Sequence, residues 1–275
     1  DIVNAFQRRC PNIRYIRTEE RETLYQAWNR GIAASRGRYV VNANIDDARR
    51  ADAFELLEKS LESNPEASLA YGDCAWTSKP NDAFPSENII RTVQYPDYHP
   101  ALSLFYCFTG CLQFWRKSAL DNLNGFQDDL TAVGDYEILM RLVEKKGRVV
   151  HVPEVLSLFF QNTEGITQNS NRSAVEEQQV RSSFRGRLEI SHFFEIGNGK
   201  SETKARAWVG LGLYALNCRV PWHDSDSGDD AFAIQCFQKS VEICPDYFPA
   251  ANKDRKSTRL NSSHDQTSYA VFSLK

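Results

Sequence analysis

The residues best equipped for chemistry stand in YVVNANIDDARR, residues 39–50. A short apolar run ends in Asn44, Ile45, Asp46 and Asp47, and Arg49 and Arg50 follow at once. Adjacent carboxylates repel each other. They are stable at a strand end if they are solvated, paired with Arg49 or Arg50, or holding a cation. The plain alternative is a solvated turn that leads into a helix beginning near Asp52. A further carboxylate, Asp135, opens the stretch GDYEILMRLVEKKG. A helix N-terminus favours the ionised form, so Asp135 is either a helix cap or a base placed to take a proton. Arg141, six residues on, can pair with a carboxylate or a phosphate, or form a surface salt bridge.

Such groups need elements to hold them. IRYIRT, residues 13–18, alternates and is rich in β-formers, which predicts a short strand. In ETLYQAWNRGIAASRG the residues Leu24, Ala27, Trp28, Gly31 and Ile32 recur at helical spacing, with Gly37 as the stop. RYVVNAN is a continuous apolar run, as in a strand buried on both faces of a parallel sheet. RADAFELLEKSLESNP predicts a helix with Phe54, Leu57 and Leu61 as its stripe, ended by Asn64 and Pro65. ASLAYGDCAW is another strand. The alternation predicts an α/β layer with right-handed crossovers, whose ligands bind at the carboxyl ends of strands, where Asn44 to Asp47 stand.

Residues 77–100 are polar and rich in proline and read as a long loop or lid. FTGCLQFWRKSALDNLNGF predicts a strand and a short helix. LTAVGDYEILMRLVEKKG predicts a helix with Ile138, Leu139, Leu142 and Val143 on its apolar face. GRVVHVPEVLSLFF predicts one or two strands. Beyond about residue 172 the pattern is helical. SETKARAWVGLGLYALNC and DDAFAIQCFQKSVEICPDYFPAAN are two helices joined by the acidic loop HDSDSGDD. Their Trp208, Leu211, Gly212, Tyr214, Ala231, Phe237 and Pro245 resemble one tetratricopeptide repeat.

Composition narrows the classes. The 275 residues carry a formal charge of −3, with 41% hydrophobic and 12% aromatic residues. That suffices for a real core and gives no sign of a nucleic-acid partner. No run reaches the roughly 18 apolar residues of a membrane span. Seven cysteines are irregularly spaced. Cys107 and Cys111 lack a second Cys or His pair, so they read as reduced and the location as cytoplasmic. His99 and His151 are isolated, and GNGK at 197–200 lacks phosphate-loop spacing. The start shows no signal pattern and no initiating Met, which suggests an internal fragment. DRKSTRLNSSH, residues 254–264, reads as a translated sequencing adapter, which would set residues 254–275 apart from the natural chain.

YQAWNRGIAASRGRYVVNANIDD resembles the family-2 glycosyltransferases of the GT-A fold. Their pattern is a helix with Asn-x-Gly near its end, then Gly-x-Tyr-hydrophobic, then a strand ending in Asp-x-Asp-Asp. About ninety residues later GFQDDLTAVGDYEILMRLVEKKG resembles the second signature of that family. There Gly-Phe-Asp precedes an acidic pair or Gly-Asp opening a helix. Asn44 departs from the pattern by replacing the first Asp. The resemblance implies a GT-A domain over residues 1–170 without its first strand, a Rossmann-like mixed sheet flanked by helices. A tetratricopeptide-like segment would then span 171–253.

The same resemblance implies a nucleotide-sugar donor, a glycan, lipid or protein acceptor, and Mn²⁺ or Mg²⁺ to neutralise the diphosphate. It makes Asp46 the metal ligand, with Asp47 holding the metal's water or the donor sugar and Asn44 bonding a ribose or diphosphate. It makes Asp135 the base of an inverting transfer, with Asp128 and Asp129 in the loop before it. Asn29 and Arg30 would lie against the diphosphate, and Gly110 and Trp115 beside the acceptor and donor sugar. For Arg30 an exposed helical arginine, and for Trp115 an ordinary packed side chain, are equal alternatives. Two rivals follow from the same residues. One is a nucleotidyltransferase on the same nucleotide-binding layer. The other is a degenerate domain serving a repeat-based binding protein that holds its partner through the C-terminal helices.

Overall fold

The computed structural model describes residues 2–162, 171–187, 189–197, 199–218 and 228–247. In chain order the first half holds α1 (Ile2–Arg9), α2 (Leu24–Ala34), β1 (Tyr39–Val41), β2 (Ala48–Arg49), α3 (Ala53–Ser63), β3 (Ala67–Thr77) and β4 (Ile89–Val93). The second half holds β5 (Gln113–Arg116), α4 (Lys117–Asn122), α5 (Gly134–Glu144), β6 (Arg148–Phe160), α6 (Asn171–Arg187), α7 (Ser201–Asn217) and α8 (Asp230–Ile243).

The strands form one mixed sheet in the order β1-β5-β3-β6-β2, with β4 paired to β3. Among the described residues only β3 and β6 run parallel, with Tyr71 opposite His151 and Thr77 opposite Phe160. The other pairings are antiparallel. Strand β3 is the centre because its side chains are buried on both faces. Leu69 and Tyr71 enter one core, and Ala70 enters the other, as a period of two requires. Helix α3 covers the second face through Ala53, Leu57 and Leu61, each at 0% exposure. Asn64 ends it, as expected. On the first face Ile138, Leu139, Leu142 and Val143 of α5 are buried against Leu69 and Tyr71. Phe54 differs from expectation: it is 45% exposed and Ala53 takes its place in the stripe.

Several expectations are corrected. Residues 13–18 form no strand, because no neighbour offers them a ladder, and Ile13, Tyr15 and Ile16 lie exposed. Strand β1 is an edge strand, half-buried and antiparallel to β5, rather than a central strand of a parallel sheet. Part of the 77–100 loop is the strand β4, whose Val93 pairs with Cys74. Helix α2 stops at Ser35, ahead of Gly37, and buries Tyr25 and Ile32 while Leu24 is exposed.

Val180 and Phe184 of α6, Leu211 of α7 and Phe232 of α8 belong to the same buried cluster as Tyr71 and Leu139. Arg185 binds the Leu104 carbonyl at 2.9 Å and stacks over the Phe232 ring at 4.1 Å. His99 stacks on Tyr214 at 4.6 Å. Helices α7 and α8 pack closely, and Ser240 of α8 donates to the Ala205 carbonyl at 2.8 Å. Most of the acidic loop at 223–230 and all of the adapter-like tail at 254–275 lie outside the described residues. Among the described residues no helix is long and apolar enough to cross a membrane.

Candidate active site

Asp46 and Asp47 follow β1 on the turn to β2, and the turn splits their roles. Asp47 points inward, with its side chain 1% exposed. Its Oδ2 accepts from Asn44 Nδ2 at 2.9 Å, and its Oδ1 accepts more weakly from the Phe160 N–H at 3.4 Å. Arg49 stands 3.9 Å away. Burial pushes the Asp47 carboxyl above its ordinary range, the Asn44 bond and Arg49 draw it back, and the charge of Asp46 pushes it up again. Asp46 is exposed and makes no hydrogen bond or ion pair with the described residues. Ile45 between them is 99% exposed, so the turn presents its tip to solvent. Arg50 faces elsewhere and pairs with Asp52 at 2.6 Å and Glu154 at 2.8 Å.

Asp135 lies in the first turn of α5, half-buried. Its Oδ1 accepts from the Tyr136 N–H at 2.9 Å. Burial drives its carboxyl up to about 6, partly opposed by backbone hydrogen bonds, and the charge of Glu177 adds to the rise. A group titrating there is matched to proton transfer near neutral pH. Gly134 makes the position possible, since a Cβ at that residue would meet the Tyr25 ring at 2.6 Å. The Tyr25 ring therefore lies against Gly134, so α2 packs on the start of α5.

Thiols and hydroxyls pack together in the interior behind the sheet's centre. Cys74 and Cys111 lie 3.7 Å apart, and Cys111 reaches Ser157 at 3.4 Å. The bond to Cys74 and burial hold the Cys111 thiol well above its usual range, and Asp47 adds to that. Burial pushes Cys107 up to about 12, and Asp135 adds to that. All seven cysteines are free thiols.

The remaining residues singled out from sequence are placed differently. Asn29 is committed to the loop before Asp135. Its Nδ2 donates to the Phe126 carbonyl at 2.8 Å and to Asp128 at 2.7 Å, and its Oδ1 accepts the Phe126 N–H at 2.8 Å. That bonding occupies both ends of its amide. The structure ties the two sequence signatures to each other. Arg30 forks onto Glu22, at 2.9 and 3.1 Å from Nε with a further bond from Nη2, on the wall of an open pocket of about 770 Å³.

Trp115 is 2% exposed, donates to Gln113 Oε1 at 3.1 Å and packs in the core, so it offers no face to a sugar. Gly110 has φ +62°, and a Cβ there would meet the Tyr95 ring at 2.7 Å, so its backbone and that ring demand glycine. Arg141 is held from several sides. It bonds Glu137 at 2.6, 2.7 and 2.9 Å and the Gly125 carbonyl at 2.8 Å. Its ion pair is not a surface salt bridge, because Glu137 is 2% exposed. Replacing Arg141 by Met strands that buried carboxylate and costs about 2–3 kcal/mol, discounted for the partial exposure of Arg141. Denaturant melts check the loss, and donor affinity is unchanged. His151 bridges Asp73 and Asp97 at 3.0 Å each, a structural link.

Sequence reasoning passed over Glu176 and Glu177, which α6 brings to the Asp135 end of α5. Only the spacing of acidic residues in a helix marked them. Among the described residues there is no cluster of three or more metal-ligating side chains.

Residues 1–123 match the family model described as glycosyl transferase family 2. Over that region the chain is similar to this family, and its mixed sheet flanked by helices has the arrangement of the GT-A fold. Among solved structures it is similar to TarS of S. aureus, with 11% identity and a TM-score of 0.46, covering 88% of this chain and 46% of that one. It is also similar to the mannosyltransferase PcManGT from Pyrobaculum calidifontis in complex with GDP-Man and Mn2+, with 13% identity and a TM-score of 0.43, covering 93% of this chain and 62% of that one. The chain thus spans about half the length of TarS. No curated protein matches it.

Proposed function

We propose that the chain moves a sugar from a nucleoside-diphosphate donor to an acceptor hydroxyl with inversion at the anomeric carbon. The observation that carries this reading is Asp135, a carboxylate at a helix N-terminus with its titration raised to about 6. The acceptor oxygen attacks the anomeric carbon while the bond from that carbon to the diphosphate oxygen breaks. Asp135 takes the hydroxyl proton, and the nucleoside diphosphate leaves with the bonding electrons.

The acidic turn fits a divalent cation. Buried Asp47 carries a carboxyl raised by burial and by Asp46, a repulsion a cation would relieve, and Asp46 is open to solvent. One or two carboxylates, completed by water and substrate phosphates, are the usual protein share of a Mg²⁺ site. Asp46 and Asp47 would hold Mn²⁺ or Mg²⁺, and Asn44 supports the site by orienting Asp47. The ion would supply charge neutralisation for the departing diphosphate.

The acceptor is a glycan, lipid or protein hydroxyl, and the free, closely packed thiols suit a reducing, cytoplasmic setting. We also propose that the α7–α8 pair belongs to a tetratricopeptide-like segment able to hold a protein partner. Exposed Ile234 and Val241 mark its open face. Retention of every partner by an Ile234→Asp, Val241→Asp variant in pull-down would count against that.

The test of the base is a pH–rate profile. Asp135 works ionised, so kcat climbs about tenfold per pH unit below about 6 and levels off above it. A profile flat from pH 4.5 to 8 would remove Asp135 from the proton transfer.

A further inference from the structure

The turn that aims Asp135 is not held by α5 alone. Val133, the residue that caps α5, makes no side-chain capping bond. The backbone just before it is gripped from α6 instead. Glu176 is 7% exposed. Its two oxygens accept the Thr131 N–H at 3.2 and 3.1 Å, Thr131 Oγ1–H at 2.5 Å and the Ala132 N–H at 2.9 Å. A buried carboxylate collecting these donors fixes two consecutive residues, the nearer of them three positions ahead of Asp135. Helix α6 lies beyond residues 1–123, the stretch that matches the family.

We infer that Glu176 is a positioning residue for Asp135: it locks the 131–132 backbone from which α5 starts, and so sets the aim of the base at the acceptor hydroxyl. The inference rests on the reading of Asp135 as base. Positioning matters here because a base must lie within hydrogen-bond reach of the proton it takes, and a displacement of about 1 Å can cost about 10²-fold in rate. The same grip keeps water away from Asp135. Tyr25 from α2, Cys107 from the loop before β5, and Glu177 with its partner Arg181 from α6 are the charged or titratable groups around that carboxylate. Loosening the turn lets water in among them.

Glu176→Gln tests this. The amide keeps the size and can still accept the Thr131 and Ala132 N–H groups on one oxygen, but it loses the carboxylate's charge and its second acceptor, so the grip on the turn weakens. Kinetic constants and pH profiles are measured for wild type, Glu176→Gln, Thr131→Val and Asp135→Asn, with a thermal melt of each. Glu176→Gln is expected to lower kcat about 10- to 10²-fold with donor KM unchanged. The acid limb of its profile should move below about 6, because a hydrated Asp135 ionises more readily. Thr131→Val removes one donation and leaves the backbone bonds, so it should move kcat and the acid limb in the same direction by less. It decides the matter if Glu176→Gln does not fold. A lower melting temperature with kcat and acid limb both at wild-type values would overturn the inference and make Glu176 a structural clamp only. Wild type without transfer, or Asp135→Asn at wild-type rate, would sink the base assignment itself, and the inference with it.

Discussion

Asp135→Asn lowers kcat by about 10²- to 10⁴-fold and leaves donor affinity unchanged. Asparagine keeps the shape and the bond from the Tyr136 N–H, but it cannot take a proton. The acceptor hydroxyl must then attack before losing its proton, and the transition state loses the stabilisation that transfer supplied. Donor binding survives because the acidic turn after β1 is a separate element. The pH profile of the variant also loses its limb near 6, since the group responsible has gone. Single-turnover kinetics read the chemical step directly, and donor titration reads binding. A variant that keeps more than about a tenth of wild-type kcat would remove Asp135 from the role of base.

Asp46→Ala carries the second large effect. Among the described residues Asp46 has no hydrogen-bond or ion-pair partner, so its loss costs the fold little. It removes the ligand best placed to meet both a cation and a diphosphate. The account predicts that kcat/KM falls by about 10²-fold or more and that stimulation by Mn²⁺ disappears. Asp47→Ala should behave differently. Asp47 anchors the turn through Asn44, Phe160 and Arg49, whose Nε and Nη2 already lack hydrogen-bond partners, so its removal lowers stability as well as activity. Comparing melting temperatures of the two alanine variants separates the outward carboxylate from the inward one.

Helix α5 was legible because its apolar residues recur at helical spacing and its acidic start is a local signal. The same holds for α3, where Asn64 and Pro65 stop the helix. Side-chain roles in the site were less legible, since they depend on contacts between distant parts of the chain. Asn29 and Phe126 are 97 positions apart, and Asp47 and Phe160 are 113 apart. A tryptophan beside a glycine reads equally well as a sugar platform or as core, and only the burial of Trp115 on β5 decides. Arg141 similarly needed its partner to be located, because a helical arginine shows nothing in sequence of a buried glutamate one turn back. The edge position of β1 was hidden because an apolar triplet suits an edge strand facing a helix as well as a central strand. The clamp of Glu176 on Thr131 joins residues 45 apart, with no motif to mark it.

The division of labour between the acidic turn and the base is the central claim. Titration of nucleoside-diphosphate sugars into wild type, Asp46→Ala and Asp135→Asn, with and without Mn²⁺, tests it most directly. The account predicts Mn²⁺-dependent donor binding in wild type and Asp135→Asn and its loss in Asp46→Ala. Equal loss of donor binding in both variants, or binding in all three that ignores Mn²⁺, would contradict it.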